Sequence, residues 1–223
     1  MELRPLSRME VLEIDRRASD EFGLADVVLM ENAGRASAQW LVDLGITGPV
    51  LICCGKGNNG GDGFVFARHL DAWGFKVRIL LACRAADLTG PARTNFQILA
   101  TSQIPMTPWS ESPLESATRL LGEADWVIDG LLGTGIRGEV REPFRTYIGQ
   151  INACRARKLA IDIPSGLDCD LGIPMGCAVR ADFTATFVAI KLGFTRPESA
   201  PYVGQVRAFD IGLPACLLRE FAR

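Results

Sequence analysis

Short apolar runs alternate with segments of helical hydrophobic spacing along most of the chain. The run Val-Leu-Ile-Cys-Cys at residues 50–54 is too short for a buried helix and is bounded by glycine, which predicts a buried parallel strand. Further strands are predicted at 76–82, 126–128, 159–161, 183–190 and 205–209. Helices are predicted at about 7–22, 25–44, 67–73, 91–101, 114–121 and 142–153, with an irregular connection near Pro105, Pro108 and Pro113. This alternation predicts one mainly parallel sheet with helices on both faces.

Two helices are expected before the first strand. Ser7 and Glu10 form a capping-box pattern that starts the first helix, and Gly23 follows its end. The second helix contains Gly34. Since an interior glycine costs a helix about 1 kcal/mol relative to alanine, we expect Gly34 to admit the close approach of another backbone. Asn32 could contact a ligand or only pack, and the pattern slightly favours packing.

The stretch after the first strand is rich in glycine. Gly55, Gly57 and Gly60 match G-x-G-x-x-G, which suggests a dinucleotide site but is weak alone. Residues 58–63, Asn-Asn-Gly-Gly-Asp-Gly, carry more polar groups than a turn needs. A glycine loop that leads into a helix points N–H groups at an anion, so a phosphate site is predicted here. The alternative is a plain strand-to-helix connection with Asp62 near the helix N-terminus.

Two later strands also end in polar loops, and each loop begins with an aspartate. Asp129 opens Asp-Gly-Leu-Leu-Gly-Thr-Gly, and Asp162 opens Asp-Ile-Pro-Ser-Gly. Parallel strands place their carboxyl ends at one sheet edge, where ligands bind in such folds. We therefore expect both carboxylates to face the glycine loop, although a single aspartate in this position is about as often a helix cap.

Charged and oxygen-bearing side chains in these loops suggest two kinds of ligand. Residues 133–138 form a second glycine loop, whose Arg137 can bind a phosphate with two hydrogen bonds, and two such loops suit a dinucleotide pyrophosphate. Lys56 and Lys191 could add charge, but a lone lysine is more often a surface residue. The set Asn59, Asp129 and Ser165 offers only oxygen ligands, which suits an alkali or alkaline-earth cation rather than zinc or copper.

Composition narrows the classes of function. The 223 residues are 48% hydrophobic and 22% charged, which indicates a globular chain of one large or two small domains. A net charge of −2 argues against nucleic acid as the main partner. No apolar run approaches the roughly 20 residues of a membrane span, and the N-terminus lacks the apolar region of a signal peptide. Seven cysteines without a C-x-x-C motif predict reduced thiols in a cytoplasm-like compartment.

At the loops described above, the sequence resembles the YjeF N-terminal domain family, the NAD(P)H-hydrate epimerases, and the match covers nearly the whole chain. The resemblance is carried by residues 29–34 (Leu-Met-Glu-Asn-Ala-Gly), 58–63, Asp129 with 132–135, 162–167, 187–193, and 204–206 with 210–214. It implies a Rossmann-like three-layer α/β/α sandwich formed as a single domain over 1–223. It also implies an isomerase of nicotinamide nucleotide repair, which interconverts the R and S forms of NADHX and NADPHX, dinucleotides hydrated at C6. Phe64 and Phe66 are bulkier than this pattern leads us to expect.

The resemblance assigns roles to particular residues. Substrate contacts fall on Asn58, Asn59, Gly60, Gly61 and Asp62, on Gly133, Thr134, Gly135, Ile136, Arg137, Gly138 and Glu139, and on Asp162. One potassium ion per subunit falls on Asn59, Asp129 and Ser165, in agreement with the oxygen-only set. The dinucleotide is a substrate rather than a cofactor.

The resemblance also suggests partners and a location. It suggests a homodimer with a small-molecule dinucleotide substrate, whereas the expected cytoplasmic location and the absence of a nucleic-acid or membrane partner rest on the composition. Some family members carry a second domain, an ATP- or ADP-dependent dehydratase that acts on the S epimer. We expect this chain to act beside a separate dehydratase.

The chemistry leaves alternatives open. Inversion at C6 can proceed by hydroxyl loss and addition of water to the other face, or by ring opening and reclosure, and either route needs an acid/base group, for which Asp162 is the candidate. An NAD-dependent oxidoreductase is less favoured because Ala82-Cys83-Arg84 replaces the usual acidic residue after the second strand. A non-catalytic nucleotide-binding or protein-interaction module is the other alternative. Arg84 could favour a 2′-phosphate or be a surface residue, so the preference between NADHX and NADPHX stays open.

Overall fold

A single parallel sheet organises the computed structural model, which describes residues 3–109 and 114–222. Within these residues the strands are β1 (Val50–Cys54), β2 (Val77–Leu81), β3 (Met106–Pro108), β4 (Trp126–Gly130), β5 (Arg157–Ile161), β6 (Phe183–Phe187) and β7 (Gln205–Phe209). Their order is β3-β2-β1-β4-β5-β6-β7, and every pairing is parallel. Strand order reverses between β1 and β4, which is the kind of switch point at which open α/β sheets bind ligands.

Helices cover both faces of the sheet. They are α1 (Arg8–Phe22), α2 (Asp26–Asp43), α3 (Asn58–Ala72), α4 (Gly90–Ala100), α5 (Leu114–Glu123), α6 (Phe144–Ala153), α7 (Ala200–Val203) and α8 (Ala215–Arg219). Alternate residues of β1 point to opposite faces: Ile52 packs in the core with α1 to α4, and Leu51 packs in the core with α5 and α6. The three-layer, Rossmann-like α/β/α sandwich predicted from the sequence is confirmed.

The first two helices follow the predicted pattern. In α1, the Ser7 backbone N–H donates to Glu10 Oε2 over 2.8 Å and Ser7 Oγ accepts from the Glu10 N–H, which completes the capping box. Gly23 ends α1 with a φ of 65°. A Cβ at Gly34 in α2 would lie 2.7 Å from the carbonyl oxygen of Asp62, so this glycine does admit another backbone.

Two strand predictions need correction, and Pro113 of the predicted irregular connection lies outside the described residues. Residues Met106–Pro108, predicted as irregular, form the edge strand β3, where a proline is tolerated because its missing N–H would face away from the neighbouring strand. The strand predicted over 183–190 ends at Phe187, because Val188 adopts a φ of 68° and turns the chain.

The largest correction concerns residues 58–63. They were predicted as a loop, but they form the first turns of α3, which begins at Asn58. Glycine is needed there for packing. A Cβ at Gly60 would lie 1.9 Å from the Gly55 carbonyl oxygen, and a Cβ at Gly63 would lie 2.8 Å from Cys54 Sγ. The helix therefore starts directly against the end of β1, and Phe64, which follows, is fully buried.

We expect Gly60→Ala to lower the free energy of unfolding by about 1–3 kcal/mol or more, since the new methyl group meets a backbone carbonyl that cannot move aside. Urea denaturation measures this free energy. The matched control is Gly149→Ala in α6, where a Cβ meets nothing within 4 Å. That substitution should instead stabilise the protein by about 0.5–1 kcal/mol. Equal effects of the two substitutions would contradict the packing role of Gly60.

Candidate functional site

A cleft of about 670 Å³ opens at the carboxyl ends of the strands. One side, which we call the helical wall, consists of α1 and the first half of α2. The other side, the sheet-edge wall, consists of the segments that follow β1, β4, β5 and β6. The cleft therefore lies where strand order reverses, and it collects all of the polar loops that the sequence places after strands.

The N-terminus of α3 lies in the sheet-edge wall. Lys56, Gly57, Asn58 and Asn59 line the cleft, and no side chain caps the helix at Gly57. The first-turn N–H groups of a helix have no partner within the helix, and the helix dipole adds positive potential at this end. This part of the cleft suits a phosphate or pyrophosphate group, with Lys56 beside it.

Asp129 is the most deeply buried acidic residue at this sheet edge. Its side chain is fully buried on the central strand β4. The carboxylate accepts hydrogen bonds from Ser165 Oγ at 2.5 Å, from the Ser165 N–H at 2.8 Å and from the Leu131 N–H at 3.2 Å. Burial raises the pKa of Asp129 to about 6, and these hydrogen bonds oppose the shift. No cationic side chain among the described residues forms an ion pair with it.

Asn59 completes a group of oxygen atoms around Leu132. Asn59 Nδ2 donates to the Leu132 carbonyl over 3.0 Å, and the Leu132 N–H donates to Ser165 Oγ over 2.9 Å. Asn59 Oδ1 is buried and has no hydrogen-bond partner among the described residues. An unpartnered amide oxygen beside a buried carboxylate and a hydroxyl is a donor set that fits a hard alkali or alkaline-earth cation. The structure thus brings together Asn59, Asp129 and Ser165.

Two unusual backbone turns lie at the ends of neighbouring strands. Asp162 and Val188 adopt φ values of 63° and 68°, and they are the non-glycine residues with positive φ in the described chain. At Asp162 the Ile163 N–H donates to the Ile161 carbonyl over 2.8 Å, and at Val188 the Ala189 N–H donates to the Phe187 carbonyl over 2.7 Å. Such tight turns are strained. Both line the cleft, which indicates that the strain serves the site.

The turns bring Asp162 and Lys191 together. Lys191 Nζ lies 2.8 Å from Asp162 Oδ1 and donates to the Phe187 carbonyl over 3.0 Å. The Lys191 side chain is fully buried, so the prediction of a surface lysine is wrong. Thr186 Oγ1 adds a longer hydrogen bond of 3.4 Å to Asp162. Asp162 therefore enters the cleft as one half of a buried ion pair with a fixed orientation.

Two further carboxyl groups in the lining of the cleft have a raised pKa. Asp62, in α3, is almost fully buried, and this burial, together with the charges of Asp162 and Asp15, raises its pKa well above the usual range. Asp15, in α1, was missed in the sequence. It lies next to the apolar positions Val11, Ile14 and Ala18, but α1 is rich in acidic residues, and nothing in the helical spacing separates Asp15 from the solvent-facing ones.

Some predicted residues do not line the cleft. Gly60 and Gly61, at the start of α3, face away from the cleft and allow close packing against Gly55 and Met30. In the second glycine loop, residues 133–136 line the cleft, but residues 137–139 do not, and Glu139 lies 3.6 Å from Arg145. Arg84 pairs with Asp87 at 2.8 Å outside the cleft, and Asn32 Nδ2 donates to the Ile211 carbonyl in a packing contact.

Comparisons with known proteins agree with this architecture. A family model described as the YjeF-related protein N-terminus matches residues 26–193. The NAD(P)H-hydrate epimerase of Pirellula staleyi is 43% identical over 208 residues, which cover 93% of this chain and 92% of that protein. The bifunctional NAD(P)H-hydrate repair enzyme Nnr of Salinibacter ruber is 38% identical, and its match covers 93% of this chain but 40% of that enzyme. The crystal structure of yeast ynu0 superimposes with a TM-score of 0.86 at 22% identity, covering 99% of this chain and 94% of that one, which supports the fold.

Proposed function

This chain belongs to the YjeF N-terminal family, and on that premise we propose that it is an NAD(P)H-hydrate epimerase. The enzyme is an isomerase of nicotinamide nucleotide repair, and its substrates are the R and S forms of NADHX and NADPHX. The observation that carries this conclusion is the 43% identity to a stand-alone epimerase over nearly the full length of both chains. The cleft, with an anion site at one end and carboxyl groups along it, supports the same conclusion.

The dinucleotide fits the cleft in one orientation. Its pyrophosphate lies at the N-terminus of α3, near Lys56, because this is the end of the cleft with positive potential. Loop residues 133–136 contact the same part of the substrate. The hydrated nicotinamide ring then extends towards the acidic part of the cleft, which contains Asp15, Asp62 and Asp162.

Asp162 acts as an acid/base group at C6 of the hydrated ring. Its ion pair with Lys191 and its strained turn hold the carboxylate in one orientation, which proton transfer in a defined geometry requires. Loss of the C6 hydroxyl leaves a cation that is delocalised onto the ring nitrogen. The Asp162 carboxylate, rather than the two carboxyl groups whose pKa is raised, stabilises this cation and favours hydroxyl loss over ring opening. Water then adds to the other face and gives the inverted epimer.

Potassium is the proposed resident ion, held by Asn59, Asp129 and Ser165. Support comes from the unpartnered Asn59 Oδ1, the buried Asp129 carboxylate and the all-oxygen donor set. When bound, the ion would balance the charge of Asp129. The protein residues themselves connect the segments after β1, β4 and β5 through hydrogen bonds to Leu132 and Ser165, and so shape the sheet-edge wall.

Location and partners complete the proposal. No helix among the described residues has the length and apolar character needed to cross a membrane. The unpaired state of the seven cysteines supports a cytoplasmic location. Family membership leads us to expect a homodimer that forms from one domain per chain. The bifunctional name of the longer relative supports a functional link to a second repair activity, for which a separate dehydratase is the candidate.

Purified protein should convert R-NADHX to the S epimer in potassium buffer faster than the spontaneous reaction, as followed by chromatography. Asp162→Asn should lower kcat by about 10²–10⁴-fold, because the amide cannot exchange a proton with the substrate. Asp87→Asn makes the same chemical change outside the cleft and should leave activity intact.

No acceleration by a protein that binds NADHX would indicate a non-catalytic module. Reduction of intact NAD with a second substrate would indicate an oxidoreductase. Full activity of Asp162→Asn would refute the role of Asp162.

Potassium should raise the melting temperature of the protein relative to sodium at equal ionic strength. A tenfold excess of the ion over its Kd stabilises the folded state by about 1.4 kcal/mol. Asn59→Ala removes the unpartnered oxygen and should abolish the potassium-dependent shift in scanning fluorimetry. Asn58→Ala, one residue earlier and exposed, should retain it. An identical shift in both variants would exclude Asn59 as a ligand.

A further inference from the structure

Asp15 lies in the helical wall of the cleft, whereas Asp162 and Lys191 lie in the sheet-edge wall. The Asp15 carboxyl group has no hydrogen bond or ion pair with another described residue, although its own helix offers several arginines. Arg16, its neighbour, pairs instead with Glu13 and Asp20, both at 2.8 Å. Asp15 therefore presents an uncommitted carboxyl group to the cleft.

Contacts at the start of α1 join the helix that carries Asp15 to the sheet-edge wall. Leu6 runs beside the chain segment of Lys191: the Leu6 N–H donates to the Ile190 carbonyl over 2.9 Å, and the Leu192 N–H donates to the Leu6 carbonyl over 2.7 Å. Arg8 Nη1 donates to the Ile136 carbonyl over 2.8 Å. These bonds tie the start of α1 to two segments of the sheet-edge wall, those that follow β4 and β6.

Inversion at C6 needs proton transfer on both faces of the ring. A hydroxyl group that leaves from one face must be protonated, and the water that adds to the other face must lose a proton. A carboxyl group held in one wall can serve only the face that is turned towards it. Since Lys191 and the strained turn hold Asp162 in the sheet-edge wall, the opposite face needs a group from the helical wall.

We propose that Asp15 is the second catalytic acid/base group and serves the ring face opposite Asp162. This inference rests on the proposed epimerase function. In one direction, protonated Asp15 gives its proton to the C6 hydroxyl, the C6–O bond breaks, and water leaves. A second water forms a new C6–O bond on the other face and gives a proton to ionised Asp162. The reverse direction exchanges the two roles, and solvent in the cleft returns the proton between turnovers.

The electrostatics of the cleft suit this role. Asp15 is an exposed residue, yet the protein around the cleft and the negative charge of Asp162 raise its pKa to about 6. Lys191 opposes the shift, and Asp26 in α2 adds to it. The other charged groups that line the cleft are Asp62 in α3, Lys56 in the segment after β1, and Arg16 and Asp20 in α1 itself. A group with a pKa near neutral pH can both give and take a proton during turnover.

The test compares Asp15→Asn with wild-type protein in the R-to-S epimerisation assay across pH. Two carboxyl groups that share one proton produce a bell-shaped profile of kcat/KM, whose two limbs belong to the pair. We expect Asp15→Asn to lower kcat by about 100-fold or more, to change KM by less than about threefold, and to reduce the bell to a single limb. The matched control is Glu13→Gln in the same helix, which does not line the cleft and should keep the wild-type rate and profile.

The outcomes separate this inference from the proposed function. A wild-type protein without epimerase activity would overturn both. An active wild type together with an Asp15→Asn variant that retains its rate and both limbs would overturn only the role of Asp15. If Asp15→Asn failed to fold, as judged by circular dichroism, the wild-type profile would still decide: a profile with fewer than two limbs would overturn the inference.

Discussion

Burial of the Asp129 carboxylate on the central strand of the sheet is the constraint on which the rest of the site depends. A carboxylate removed from water must be satisfied by hydrogen bonds or by a cation, because an uncompensated buried charge is very costly. Here the hydrogen bonds come from the backbone and hydroxyl of Ser165 and from the backbone of Leu131. Meeting this requirement fixes the segments after β4 and β5 against each other. The burial of Asp129, together with the unpartnered Asn59 oxygen, supports the cation site that we propose.

Tight turns at the ends of β5 and β6 place charged side chains at this edge of the sheet. Asp162 and Val188 both adopt positive φ, and each ends its strand in a tight turn instead of an ordinary loop. One turn places Asp162 in the cleft, and the other returns the chain so that Lys191 reaches it. Strained non-glycine residues persist only where surrounding structure holds them, and here the sheet below and α1 above do so. The strained turn and the ion pair with Lys191 therefore both orient the Asp162 carboxylate in the cleft.

The sequence predicts the helices and strands of the three layers well because their hydrophobic patterns differ. The buried run of β1, the caps of α1 and the spacing in α2 are local signals, and the structure follows them. The boundaries that depend on tertiary packing are not local. Residues 58–63 look like a loop because of their glycines, yet these glycines let a helix start against β1. Likewise, β3 is recognisable only through its pairing with β2.

The residues of the candidate site that belong to motifs can be predicted from the sequence, whereas those that reach it only through the fold cannot. Asp129 lies near the end of a strand, Asp162 and Ser165 follow one, and all three belong to specific motifs, so sequence alone places them at one sheet edge. Asp15 has no motif, and it becomes a site residue only because α1 folds over that edge. The role of Lys191 could not be predicted either, because only the fold shows that this lysine is buried beside Asp162.

The central claim is that a hydrated nicotinamide dinucleotide binds in this cleft with its reactive carbon between the two walls. A crystal structure of the Asp162→Asn variant with S-NADHX, grown with thallium in place of potassium, tests it most directly. The account predicts the pyrophosphate at the N-terminus of α3, C6 between residue 162 and Asp15, and an anomalous peak beside Asn59 and Asp129. A dinucleotide bound outside the cleft, or a ring with C6 turned away from both carboxyl positions, would contradict the account.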